Sequence, residues 1–189
     1  MGKYGDFTAD GLEYVIRTPH TPRDWFNFFW NPTYLASAGQ SMNGCSLFQS
    51  EGGVVTNLFG KQDMREDPRN VYLRDANTGE FWSAGYLPCH TQHEEFSCRH
   101  GLGYTVLGTL HKGVRVEFRL FVPRKDSGEV WTITVTNESR RARRLSLFSV
   151  RRGKLRTGQY RQRARQNQCP RLRFAIWVSG VGRWLLAIE

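Results

Sequence analysis

Residues 114–136 alternate so regularly between apolar and polar side chains that they commit this chain to a β-sheet. Val114, Val116, Phe118, Leu120 and Val122 are apolar, and three of the four residues between them (Arg115, Glu117, Arg119) are charged. A period of two is the signature of a strand with one face in a core and one in water. Pro123 to Gly128 is a turn cluster. Beyond it Trp131, Ile133 and Val135 alternate with Thr132, Thr134 and Thr136. Two such runs around a polar loop read as a β-hairpin, and Leu145 and Leu147 begin a third strand.

Upstream the expected strands are shorter and richer in aromatic residues: Leu12 to Arg17, Gly44 to Gln49, Asn70 to Leu73, Phe81 to Ala84 and Gly103 to Leu110. Gly, Asn, Asp and Pro separate them at the spacing of a sandwich. The one segment read as a helical turn is Asn31 to Ala38, with Asn31-Pro32 starting it. The fold class is therefore all-β, an antiparallel β-sandwich, incomplete, with an irregular or poorly ordered basic C-terminal tail. An incomplete sandwich has open edges and an uncovered face, so Phe118, Leu120, Trp131 and Ile133 are expected to be exposed.

The net charge of +10 is not spread along the chain. Residues 151–189 hold ten basic residues and one acid, Glu189, whereas residues 1–150 are almost neutral. The domain reading follows that split, with the sandwich in 1–150 and an Arg-rich, frame-shifted or non-homologous tail in 151–189. A basic domain would suggest nucleic acid, but here the excess belongs to the tail, and no specific nucleic-acid partner is expected. The opening residues lack the apolar core of a signal peptide, and no apolar run is long enough to span a membrane. Four Cys without an export signal suit reduced thiols. The expected location is the cytoplasm.

Six segments in order resemble a known family. They are Tyr4-Gly-Asp-Phe7 with Glu13-Tyr-Val-Ile16; Thr21-Pro22 with Trp25-Phe-Asn27; and Val71-Tyr-Leu-Arg-Asp75 with Trp82-Ser83. Arg99-His-Gly-Leu-Gly-Tyr104, Leu120-Phe-Val-Pro123 with Val135-Thr-Asn137, and Leu147-Phe-Ser149 complete the series. Together they are similar to the N-terminal β-sandwich of glycoside hydrolase family 94, the inverting disaccharide phosphorylases. The pattern departs from the family where Arg23-Asp24 and Phe28-Phe29-Trp30 stand, and it ends at Ser149. The resemblance implies carbohydrate, a β-linked glucose or N-acetylglucosamine disaccharide, and phosphate as partners of the full-length family, a family homodimer, and no cofactor. It places the catalytic acid in a later (α/α)-barrel domain. No residue of this chain is assigned a catalytic role, and the chain is expected to be inactive alone.

Sugar sites combine an aromatic platform with a few polar anchors. The candidate substrate-binding residues on that basis are Trp25 and Asn27, in a Pro-flanked loop, with Arg99 and His100. Trp82 and Tyr104 read as core. Glu94-Glu95 is the best carboxylate pair, but neighbours on a strand point to opposite faces, so a solvated loop is the expected reading; Asp63, Glu66 and Asp67 read the same way. Cys89, His90, His93, Cys98 and His100 are zinc-type ligands, but their spacing fits no finger, and no metal is expected. Two other functions stay open: a stand-alone sugar-binding β-module, and a non-specific nucleic-acid binder acting through the Arg-rich tail.

Overall fold

The structure is a computed structural model that describes residues 2–49, 55–57, 69–151, 154–155, 173–181 and 184–188. Its described residues contain strands and no helix. Along the chain the strands are β1 (Gly5–Phe7), β2 (Glu13–Ile16), β3 (Asn27–Asn31), β4 (Tyr34–Ala38), β5 (Ser46–Gln49), β6 (Val55–Asn57), β7 (Arg69–Asp75) and β8 (Phe81–Ser83). They continue as β9 (Glu95–Gly101), β10 (Tyr104–His111), β11 (Val114–Phe121), β12 (Gly128–Asn137), β13 (Arg143–Arg151), β14 (Lys154–Leu155), β15 (Arg173–Val181) and β16 (Trp184–Ile188).

Three sheets result. The largest has seven strands in the order β1-β2-β9-β10-β11-β12-β15, the second runs β16-β13-β7-β8, and the third runs β14-β6-β5-β4-β3. Pairing is antiparallel except where β15 joins β12 and β16 joins β13 in parallel. Those two strands contain the apolar runs Phe174 to Val178 and Trp184 to Ile188 of the basic tail.

The seven-stranded sheet is built on the alternation that the sequence displays. Phe118 pairs with Ile133 and with Leu107, and Leu107 pairs with Cys98, which pairs with Ile16. All five are buried in one row of the inner face. The hairpin between β10 and β11 turns through Lys112 (φ 49°) and Gly113 (φ 73°). Positive φ at both central residues is the turn whose twist matches its strands.

The expected exposure of this face is not observed. Phe118, Leu120, Trp131 and Ile133 are each no more than 2% exposed. Phe29, Tyr34, Ala36 and Ala38 of the five-stranded sheet, and Val71, Leu73, Leu145 and Leu147 of the four-stranded sheet, join them in one core. The expected helical turn at Asn31 to Ala38 is also replaced, by the β3–β4 hairpin. Its cause is local: Asn31 Oδ1 accepts hydrogen bonds from the amides of Thr33 (2.9 Å) and Tyr34 (2.8 Å). An Asn side chain that closes a turn this way competes with helix formation.

β7 carries a charge at each end of its inward face, with Val71 and Leu73 between. At one end Arg69 and Glu129 form an ion pair whose side chains are wholly buried. Arg69 meets the carboxylate through Nε (2.9 Å) and Nη2 (3.0 Å). It also donates to the Ser37 carbonyl (2.9 Å), the Cys45 carbonyl (2.6 Å) and Ser46 Oγ. Glu129 accepts further bonds from Ser46 Oγ and Trp131 Nε1 (3.0 Å). The four partners of Arg69 thus come from β4, β5, β12 and the residue before β5, and Arg69 itself lies in β7, so one guanidinium joins all three sheets. Burial of two charges is tolerable only with this degree of satisfaction. At the other end Asp75 pairs with Arg143 at 2.8 Å. Burial acts to raise the Asp75 pKa, but the Asn77 amide, Arg143 and the Thr78 amide outweigh it and hold the carboxyl below its usual value.

Breaking the first pair from one side should leave Glu129 buried without its counter-ion. Arg69→Met is expected to cost about 3–5 kcal/mol, read as a fall in the urea midpoint of the 189-residue chain. Arg69→Met combined with Glu129→Gln should cost less than the two single changes added together. A midpoint unchanged by Arg69→Met would contradict the role given to this pair.

Candidate functional site

The loop that carries Trp25 joins β2 to β3 and is pinned by buried amide side chains. Gln40, 2% exposed, accepts from the Trp25 amide through Oε1 (3.0 Å) and donates from Nε2 to Thr21 Oγ1 (2.6 Å) and Asp24 Oδ1 (3.2 Å). Asn43 donates to the other Asp24 oxygen at 3.0 Å. Both amides sit in the Gly39 to Gly44 connection between β4 and β5, where Gly44 adopts φ 138°. A Cβ there would lie 2.3 Å from the Ser37 carbonyl oxygen, so this crossing needs glycine.

His100 holds the end of the same loop. Its Nε2 lies 3.0 Å from the Trp25 carbonyl and its Nδ1 3.0 Å from Thr105 Oγ1. A carbonyl only accepts, so Nε2 carries the proton and Nδ1 accepts from the Thr105 hydroxyl. Asn27 Nδ2 then donates to Thr105 Oγ1 (3.3 Å) and to the carbonyls of Gly101 and Tyr104 (both 2.8 Å). A continuous chain of hydrogen bonds therefore runs from Asn27 through Thr105 and His100 to Trp25. Trp25 itself is half-buried, with edge-on contacts to Tyr4 (5.9 Å) and Tyr14 (5.7 Å). Burial holds His100 below the ordinary histidine pKa, opposed by its bond to the Trp25 carbonyl.

Three of the four candidate residues, Trp25, Asn27 and His100, are thus brought together, and Arg99 is not. Adjacent to His100 on β9, Arg99 projects from the outer face of the sheet. It lies there between Glu117 (3.4 Å) and Glu13 (3.9 Å). Trp82 is buried in the core as expected. Tyr104 is not core: it lies on the outer face, partly buried, with its ring against Gly101 and its hydroxyl donating to Glu13 at 2.7 Å. That bond to Glu13, with burial, raises the Tyr104 pKa. Arg119 stacks over the same ring at 4.9 Å.

The remaining candidates are dispersed. Glu94 accepts from the Lys112 amide and Glu95 pairs with Arg115, so the two carboxylates face different partners. Asp63, Glu66 and Asp67 lie outside the described residues. Cys98 is buried beside Ile16 and Leu107 in the inner row, where burial pushes its thiol pKa up. His93 lies edge-on to His111, and His90 edge-on to Tyr86. Among the described residues no group of three or more His, Cys, Asp or Glu side chains could hold a metal ion. Gln40, Asn43 and Thr105 are the contributors that sequence reasoning missed. Their only sequence signal is a polar run, Gly39-Gln-Ser-Met-Asn-Gly44, directly after an apolar strand.

Stacked antiparallel sheets with an aromatic loop fixed at their edge define a layered β-sandwich domain. Over residues 12–173 the sequence matches the supersandwich domain of glycosyl hydrolase 94, and the chain belongs to that family. Its relatives include solabiose phosphorylase of Paenibacillus borealis, 36% identical over 79% of this chain and 20% of that protein. A second P. borealis protein, 3-O-beta-D-glucopyranosyl-beta-D-glucuronide phosphorylase, is 38% identical over 78% of this chain and 18% of the relative. N,N'-diacetylchitobiose phosphorylase of Vibrio proteolyticus is 31% identical over 78% and 19%. The chain thus spans about a fifth of the length of these relatives. Among the described residues no helix is long and apolar enough to cross a membrane.

The His100 network makes stability depend on pH. Burial depresses the pKa of His100 and of His93 in the fold. The unfolded chain therefore takes up protons near pH 6.5 that the folded chain does not. Stability present above that pH is lost as pH falls through it toward the depressed native values. The thermal midpoint should drop between about pH 7.5 and 5.5, and His100→Asn should drop less steeply over the same range. An identical slope for the variant would remove His100 from this role.

Proposed function

We propose that this chain is the carbohydrate-handling sandwich of an inverting disaccharide phosphorylase, working in the cytoplasm, and that it has no catalytic residue of its own. The proposal takes residues 1–150 as the sandwich and 151–189 as a separate Arg-rich tail. Trp25 supplies an aromatic surface for a sugar ring. Asn27 and His100 act as positioning residues, since their polar atoms are engaged in holding that loop. Arg99 contributes a guanidinium from the outer face. Phosphate and the disaccharide meet their catalytic acid elsewhere in the whole enzyme, consistent with matched residues that span only 20% of the first relative.

The observation that carries this reading is the Trp25 loop. Functional side chains often sit on loops held by a rigid scaffold, and Gln40, Asn43 and His100 all bond to this one. Preorganisation of that kind lowers the ordering cost of binding.

Titration of the 189-residue chain with cellobiose and N,N'-diacetylchitobiose, followed by tryptophan fluorescence, tests it. A saturable change that is reduced at least several-fold in Trp25→Ala is expected. No change with either sugar up to millimolar concentration would overturn the binding role.

A further inference from the structure

The connection between β8 and β9, residues 84–94, is pinned at its ends and carries a histidine turned inward. At one end the Ala84 amide donates to the Val71 carbonyl (2.8 Å), and the Ala84 carbonyl accepts from Thr109 Oγ1 (2.8 Å). At the other the Glu94 amide donates to the Leu110 carbonyl at 2.9 Å. Between them the Thr91 amide bonds to the Tyr86 carbonyl at 3.0 Å. Both ring nitrogens of His93 are shut off from solvent, and neither makes a hydrogen bond of ordinary geometry. The ring stands edge-on to His111 of β10 at 6.0 Å.

The groups around His93 do not suit a proton on it. His111 Nδ1 lies 3.2 Å from the Gln92 carbonyl, so Nδ1 carries the proton of the neutral His111 ring. Its Nε2 faces Glu80 of the β7–β8 turn at 3.7 Å, where a further proton would form an ion pair. Lys112 of the β10–β11 turn bonds to the same carboxylate at 2.6 Å. Glu94, whose carboxylate accepts from the Lys112 amide, is the charged neighbour along the chain. An imidazolium at His93 would therefore face His111, with the Gly85 carbonyl acting as acceptor for two N–H groups. Burial, with His111 acting in the same sense and the Gly85 carbonyl and Glu94 against it, holds the His93 pKa below its ordinary value.

The middle of the connection reaches the Trp25 loop. The Tyr86 ring is edge-on to His20 of that loop at 4.7 Å, and His90 is edge-on to Tyr86 at 5.1 Å. Gly85 lies against Ser41, whose carbonyl oxygen would be 3.2 Å from an added Cβ. Ser41 belongs to the same Gly39 to Gly44 connection as Gln40 and Asn43, which hold the Trp25 loop.

We propose that His93 is a proton-operated latch: its neutral ring keeps residues 86–93 against the sheet, and a proton on it releases them and loosens the Trp25 loop. This goes beyond the carbohydrate reading, because it concerns the conformation of the loop and not what the loop binds. The open form takes up the proton near pH 6.5. The closed form is favoured above that pH and is lost as pH falls toward the depressed native value.

Hydrogen exchange on the 189-residue chain, corrected for intrinsic rates, tests this between about pH 7.5 and 5.5. The amides of Thr91 and Trp25, bonded to Tyr86 and Gln40, should lose protection together. The expected loss is about tenfold per pH unit below ~6.5, as uptake of one proton requires. Ala84, Glu94 and Ile133 should keep their protection. His93→Phe should abolish the response, whereas His100→Asn should leave it intact at Thr91. If His93→Phe does not fold, the Cε1–H NMR titration of His93 in the unmodified chain decides. Its midpoint must lie below the ordinary value near 6.5, and an ordinary midpoint overturns the proposal. Unchanged protection at Thr91 overturns it too. The same response in His93→Phe would assign it to the exposed His20 or His90, and loss at Trp25 alone would assign it to His100; either result rejects the latch. Loss at Thr91 without Trp25 contradicts the coupling to the loop.

Discussion

A single guanidinium at the centre of the molecule sets how its three sheets meet. Arg69 is wholly buried, and Glu129, Ser46 and the carbonyls of Ser37 and Cys45 take up its donors. Apolar packing is tolerant of small slides between layers, since dispersion and burial have no directional preference. A forked, bidentate contact has one geometry. The apolar core made from Phe118, Ile133, Leu73 and Ala36 supplies the driving force, and the ion pair fixes the mutual placement. Asp75 and Arg143 repeat the arrangement at the far end of β7.

That placement leads to the candidate site. With β4 and β5 anchored through Ser37 and Ser46, the Gly39 to Gly44 connection between them is held in the interior, and Gln40 and Asn43 become available to the Trp25 loop. The seven-stranded sheet approaches from the other side through His100 and Thr105. The loop is therefore clasped between two sheets whose relative position depends on Arg69. The same clasp, through Asn27 and Asn31, fixes β3 across the hairpin ends of the larger sheet. The conformation of the Trp25 loop is consequently tied to a contact that does not touch it directly.

Much of the larger sheet was legible in the sequence because its strands alternate without interruption. β11 and β12 could be drawn from Val114 to Thr136 almost residue by residue. β3 and β4 were not, because Phe28-Phe29-Trp30 is a solid apolar run with no period, and Asn31-Pro32 reads equally as a helix start. The buried ion pair was missed although its signal was present. Glu129 shares the inward phase of Trp131, Ile133 and Val135, and Arg69 that of Val71 and Leu73. A charge in phase with a core stripe is more informative than a charge between stripes. The supposed open face of the sandwich was a misjudgement of partners: short aromatic strands from upstream cover what the hairpin alone would expose. Trp25, Asn27 and His100 were chosen as an aromatic platform with polar anchors, but their mutual hydrogen bonding depends on Thr105, a residue that alternation marks only as inward.

If Arg69 makes the three sheets one cooperative body, their slowest-exchanging amides should report a common opening. Native-state hydrogen exchange on the 189-residue chain measures this directly. The account predicts the same opening free energy for amides of Leu73 in β7, Ala36 in β4 and Ile133 in β12. It also predicts that Arg69→Met lowers protection in β4 and β7 more than in β12. Loss of β4 or β7 protection well before β12 in the unmodified chain would show that the sheets open separately, and would contradict it.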